Sequence, residues 1–160
     1  MKIKKQTAVG FVVYLPTEPE IKYLLLRHGE QWLRVLDRAG ITEYWNFPKG
    51  RIDVKDADNL STAYRELEEE TGLTKNDVEL DKDFEYRYDY SFKVQEDEGI
   101  FKVNKTAIFH IAKAKSDHIT ISPEHQDYGW FTYDEASKKI NRPQIQQLLD
   151  KARDHILKKQ

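Results

Sequence analysis

The chain has 160 residues and no cysteine, and 26 Lys and Arg against 28 Asp and Glu leave a formal net charge of -2. That length suits a single domain, residues 1–160, around one sizeable core. The missing cysteine excludes disulfides, thiolate metal sites and a cysteine nucleophile, and the near-balanced charge offers no overall attraction for nucleic acid or acidic membranes.

In chain order, the lysine-rich start followed by Ala8 to Leu15 imitates a signal peptide. Gly10 breaks its apolar stretch, however, and the run passes straight into Pro16-Thr17-Glu18-Pro19-Glu20. Thr7 to Leu15 and Ile21 to Arg27 therefore read as two strands of a hairpin, almost continuously apolar and so covered on both faces. His28 to Glu43 is read as a loop that forms a lid or an added wall, and Trp45 to Ile52 as a short strand entering a turn. From Asp58 the period becomes helical, with Leu60, Ala63, Tyr64 and Leu67 on one face, a cap at Asp58 or Asn59, and Gly72 as a left-handed stop. Val78 to Leu80, Phe84 to Phe92, Phe101 to Ala114 and His118 to Ile121 are strand candidates, with a turn at Glu96 to Gly99. Trp130-Phe131 reads as a last short strand, and Asp134 to Lys139 and Pro143 to Lys158 as closing helices. The pattern predicts an α/β class: a mixed β-sheet sandwiched between α-helices. No run reaches the roughly 20 apolar residues of a membrane span, no dedicated nucleic-acid module is evident, and the expected location is cytoplasmic.

The chemistry is concentrated in Glu66, Glu69 and Glu70, which stand at i, i+3 and i+4 of the predicted helix. At about 100° per residue they share one arc, so their carboxylates can converge. Clustered carboxylates repel unless a cation compensates, and hard divalent ions choose oxygen ligands and bridge them to phosphates. Glutamates are also good helix formers, so the same run taken alone suits a solvated helical face.

Its surroundings decide between the two. Gly50, Arg65, Glu66, Leu67, Glu69, Glu70, Gly72 and Leu73 resemble the G-x5-E-x7-R-E-U-x-E-E-x-G-U box of Nudix hydrolases, where U is aliphatic. The interval from Gly50 to Arg65 is one residue longer than in that pattern. Asp56 then stands nearest the family's first Glu, with Ala57 as the apparent insertion. Trp45-Asn46-Phe47-Pro48-Lys49-Gly50 and Ser122-Pro123-Glu124-His125-Gln126-Asp127-Tyr128-Gly129-Trp130 are similar to segments of the asymmetrical diadenosine tetraphosphate hydrolases.

The resemblance implies a Nudix fold, hydrolysis of a polyphosphate chain joined to a nucleoside, and Mg²⁺ or Mn²⁺ as cofactor. It implies that Glu66, Glu69, Glu70 and the Gly50 carbonyl hold metal, that Glu124 is a further ligand or general base in competition with Glu66, and that Lys105 contacts phosphate. Arg65, four residues before Glu69, is placed to orient a carboxylate. Lys49, with Arg27 and Arg51 as further candidates, can neutralise phosphates that the acidic helix repels. Tyr86, Tyr88 and Tyr90 share one strand face, and Tyr90 matches a base-stacking tyrosine of the resembling subgroup. Trp45 and Trp130 are read as core or pocket wall. Three readings follow: a dinucleoside polyphosphate hydrolase, an NTP, dNTP or RNA 5′-end pyrophosphohydrolase, and a nucleotide sensor that does not hydrolyse. Oligomeric state is not legible.

Overall fold

The computed structural model describes residues 2–29 and 43–160, so residues 30–42 of the expected lid or wall lie outside the described part. The elements are β1 (Lys2–Leu15), β2 (Lys22–His28), β3 (Trp45–Asn46), β4 (Lys49–Arg51), α1 (Asn59–Thr71), a 3-10 turn (Lys75–Asp77), β5 (Val78–Glu96), β6 (Gly99–Ala114), β7 (His125–Thr132), α2 (Tyr133–Lys139) and α3 (Pro143–Lys158).

Alternation along β1 builds two cores at once. Val9, Phe11 and Val13 face one side of the sheet and pack with Ala63 and Leu67 of α1. Val12 faces the other, among Ile145, Leu148, Leu149 and Ala152 of α3. Every residue from Ala8 to Val13 is buried, as the continuous apolar run predicts. Burial of each such side chain contributes about 1.5–3 kcal/mol, so the sandwich holds α1 firmly against the sheet. The strand order among the described residues is β3-β2-β1-β6-β5, with β4 paired to β1 and β7 to β2. The sheet is mixed because β1 runs parallel to β6 and antiparallel to β2 and β4.

The expected hairpin between β1 and β2 exists but is short, pairing Tyr14 with Tyr23 and Leu15 with Lys22. The main partner of β1 is β6, in unbroken register from Lys2 opposite Phe101 to Tyr14 opposite Lys113. That pairing extends the strand back to Lys2, ahead of the predicted start at Thr7. Pro48, which has no N–H to give a ladder, divides the predicted 45–52 strand into β3 and β4. The two candidates Val78 to Leu80 and Phe84 to Phe92 are one strand, interrupted in register between Asp81 and Tyr86.

His118 to Ile121 is not a strand. Its neighbourhood serves the end of α1 instead: Thr120 N–H donates to the Thr71 carbonyl at 2.9 Å and Ser122 N–H to the Glu70 carbonyl at 3.1 Å. A helix leaves its last carbonyls without internal partners, and this extended segment satisfies two of them. The same docking fixes the following turn, which carries Glu124, beside the helix. β7 then runs from His125 to Thr132 along β2, longer than the predicted Trp130-Phe131.

Candidate active site

Local rules place α1 closely. The Asp58 side chain accepts from Ser61 N–H at the first turn, and Gly72 at φ 77 ends the helix with its N–H on the Glu68 carbonyl. Leu67 is wholly buried, which turns the face one residue away, that of Glu66 and Glu70, toward β4. The two elements nearly touch. A Cβ on Gly50 would collide with the Glu66 carboxylate, so only glycine lets that carboxylate lie against the β4 backbone. Glu70 accepts from Lys49 N–H at 3.3 Å and is 5% exposed.

Arg65 organises the outer side of this helix. Its Nε and one Nη donate to the two oxygens of Asp56, both at 2.9 Å, in a forked pair. The other Nη reaches Glu66 at 3.0 Å and Glu69 at 3.3 Å, and the forked Nη also donates to the Arg51 carbonyl at 3.0 Å. Asp56 is in turn held by Asp53 N–H at 2.8 Å and the Thr62 hydroxyl at 2.7 Å. The Arg65 guanidinium, then the Asp53 N–H, keep its carboxyl well below the usual carboxylate range. The shorter acid in the lengthened loop therefore fills a supporting position. Arg65 thus pairs with three carboxylates, making its forked bonds to Asp56 and longer ones to the spaced Glu69.

One cleft of about 450 Å³ collects Glu66, Glu70, Glu124, Gly50, Lys49 and Lys105. Arg51 also lines it. Burial pushes the Glu70 carboxyl up to about 8, and the neighbouring Glu66 adds to the shift while Lys49 opposes it. Glu66 is raised by burial and by Glu69 and Glu124, against the pull of Arg65. On the opposing wall, burial lowers Lys105 to about 7, with Lys49 and Arg51 adding repulsion. The Glu66 and Glu70 carboxylates, faced by buried Lys105 and half-buried Lys49, form a set of hard oxygen donors that suits a divalent ion. The described residues do not, however, gather three acidic or imidazole groups into a closed ligand cluster.

Several expected residues, Arg65 among them, stand apart from the cleft lining. Glu69 is paired with Arg65, and its side chain is 57% exposed. Tyr90 lies across from Lys105 in the β5–β6 ladder but packs between Tyr88 and Phe92 with the Arg142 guanidinium 5.2 Å above its ring. Arg27 pairs with Glu43 at 3.5 Å. Trp45 is buried edge-on to Phe131 at 5.5 Å, and Trp130 donates to the Asp117 carbonyl at 3.0 Å, so both are structural.

Other cleft residues had no role expected of them, although His125 stood within the Ser122 to Trp130 segment. His28 and His125 are both buried, their rings 5.0 Å apart. Burial, then Lys49, His125 and Lys105, hold His28 neutral, down to about 2. His125 Nδ1 is 2.9 Å from the Ser122 hydroxyl, and its Nε2 is 3.8 Å from Glu70. Lys4, Gln6, Phe92, Val94 and Val103 also line the cleft. The period-2 alternation of their strands was a usable signal, but only once the β1–β6 pairing was known.

A curled mixed sheet between helices, with a glycine turn pressed on a glutamate-bearing helix, defines a class. The NUDIX domain model matches residues 4–152, and the chain belongs to this family. Among particular proteins, it is 35% identical over 95 residues to the bis(5′-nucleosyl)-tetraphosphatase [asymmetrical] of Rattus norvegicus, covering 58% of each chain. It is 26% identical over 145 residues to the protein of that name from Caenorhabditis elegans, covering 90% of this chain and 91% of the other. A crystal structure of a C. elegans Ap4A hydrolase binary complex superposes with a TM-score of 0.75 at 24% identity, over 95% of this chain and 98% of that one, which establishes the fold. The chain thus spans little more than half the length of the rat relative. No helix among the described residues is long and apolar enough to cross a membrane.

Proposed function

We propose that residues 1–160 act as one domain that hydrolyses a phosphoanhydride bond of a nucleoside polyphosphate, with Mg²⁺ or Mn²⁺ as cofactor and a dinucleoside polyphosphate such as diadenosine tetraphosphate as preferred substrate. The observation that carries this reading is the cleft in which half-buried Glu66 and buried Glu70 oppose half-buried Lys49 and buried Lys105. The substrate named for the rat and nematode relatives supports the choice of dinucleotide.

Glu66, Glu70 and the Gly50 carbonyl are the proposed metal donors, joined by Glu69 if Arg65 releases it. A divalent ion held there supplies charge neutralisation to the phosphate oxygens. Lys49 and Lys105 hold the phosphates, and an arriving polyphosphate raises the Lys105 amine back into its charged form, so binding and proton uptake are coupled. Glu124, on the turn docked to the end of α1, is the proposed base or further ligand, and Glu66 is its competitor. Tyr90 offers a ring face beside Lys105 for a base.

Product identity tests the reading. With Mg²⁺, diadenosine tetraphosphate is expected to give ATP and AMP in equal amounts. ADP as the sole product, or no product beside ready hydrolysis of ATP or dATP, would contradict it.

A further inference from the structure

β5 and β6 continue well beyond the two cores. Past Tyr90 opposite Lys105, the ladder runs without a break to Glu96 opposite Gly99, and β1 stays paired to β6 back to Lys2. Paired residues share a face, so three rows lie on one side of this extension: Gln6–Lys105–Tyr90, Lys4–Val103–Phe92 and Lys2–Phe101–Val94. The four residue steps from Tyr90 to Val94 carry that face about 13 Å beyond the lysine.

The two sides of the extension differ in chemistry. The outer side is polar, with Ser91 donating to Asn104 at 2.8 Å, Thr106 donating to Asp89 at 2.7 Å, and Lys93 opposite Lys102. The inner side presents Phe92, Val94 and Val103 to the cleft that holds Glu66, Glu70 and Glu124. Its far end is closed by Lys4, which lies 4.2 Å from the Phe101 ring centroid and pairs with Glu96 at 3.0 Å. A ligand that follows this cleft meets carboxylates, then buried cations, then a flat apolar floor. A phosphate chain bearing a nucleoside at each end matches that sequence, and a chain bearing only one leaves the floor uncovered.

We propose that the inner face of the β5–β6 extension is a subsite for the second nucleoside of a dinucleoside polyphosphate, whose base lies on Phe92 beside Val94 and Val103. This rests on the substrate reading above and adds the structural reason for preferring two nucleosides to one. The remaining base is left to the other end of the phosphate chain.

The test compares diadenosine tetraphosphate with adenosine tetraphosphate, which has the same phosphate chain and one nucleoside fewer, in the full chain with Mg²⁺. Stacking on one aromatic ring predicts about a tenfold lower KM for the dinucleotide in the unmodified protein. Phe92→Ala is expected to bring the KM ratio close to one, Phe92→Tyr to keep it, and Val94→Asp, near the hairpin tip, to lower it in a protein whose melting temperature is unchanged. A ratio near one in the unmodified protein, or a ratio unaffected by both Phe92→Ala and Val94→Asp, overturns the subsite. Neither result touches the substrate reading, which is judged by ATP and AMP release. A protein that cleaves adenosine tetraphosphate but not the dinucleotide overturns both.

Discussion

Glu70→Gln is expected to lower kcat roughly a thousandfold, because several kcal/mol of charge stabilisation depend on a metal donor that an amide replaces poorly. The fold is expected to survive, since the amide oxygen can still accept from Lys49 N–H at a contact now 3.3 Å long. Stability separates this from a merely damaged core. Burial holds the folded Glu70 pKa at about 8, above its ordinary 4.5. Between those values the unfolded chain releases a proton that the folded one keeps, so the contribution of Glu70 to stability is intact at low pH and is lost as pH rises toward 8. His28 and Lys105 also titrate differently on folding, so the quantity to follow is the difference between wild type and variant. Without metal, wild type is expected to lose stability relative to Glu70→Gln from about pH 5 to about pH 8. Saturating Mg²⁺ is expected to reverse that loss in wild type and to move the variant little, because the ion binds the folded carboxylate form. Calorimetric melting at several pH values, with and without Mg²⁺, checks both statements. Parallel curves for the two proteins in both conditions would remove Glu70 from the metal site.

Asp56→Ala is expected to reduce kcat by about 10- to 100-fold and to raise the Mg²⁺ concentration needed for half-maximal rate, the usual consequence of losing a partner that orients a metal donor. Asp56 takes both forked bonds of Arg65 and also those of Asp53 N–H and Thr62. Without it, the guanidinium is left to Glu66 and Glu69, which it already touches at 3.0 and 3.3 Å, and it draws charge from the donors it should position. Arg65→Lys is expected to fall in the same way, since an ammonium cannot make the fork. Asp56→Asn keeps one acceptor oxygen and is expected to recover part of the loss. Steady-state rates across a Mg²⁺ titration decide the matter. An unchanged half-saturating Mg²⁺ concentration in Asp56→Ala would show that this network does not position the donors.

What the sequence disclosed follows from the range of the forces involved. α1 was legible down to its caps, because Asp58, Leu67 and Gly72 act within one or two turns of each other. The shared arc of Glu66 and Glu70 was legible for the same reason. Glu69 lies on that arc too, but Arg65 holds it on the exposed side, and competition among Asp56, Glu66 and Glu69 for one guanidinium is not written in spacing. Asp56 itself works because the loop returns it beneath Arg65, a matter of loop path rather than of residue order.

The less legible part of the site depends on pairing between distant strands. Alternation told that Tyr86, Tyr88 and Tyr90 of β5 share a face but not that Lys105 of β6 and Gln6 of β1 stand beside them, with β1 lying far away in the chain. His118 to Ile121 looked like a strand because its residues favour extended backbone, and the carbonyls of Thr71 and Glu70 claimed the N–H groups of Thr120 and the adjacent Ser122 instead of a neighbouring strand. His28 entered the cleft wall through the β2–β7 ladder, which sets it opposite His125.

Glu66 and Glu70, with the Gly50 carbonyl, are proposed to hold the ion that works on a polyphosphate lying against Lys49 and Lys105. Anomalous diffraction from crystals grown with Mn²⁺ and a non-hydrolysable dinucleoside polyphosphate tests it most directly. A manganese peak is expected between these two carboxylates, with phosphate density reaching the two lysines. Manganese bound away from α1, with Glu66 still joined only to Arg65, would contradict it.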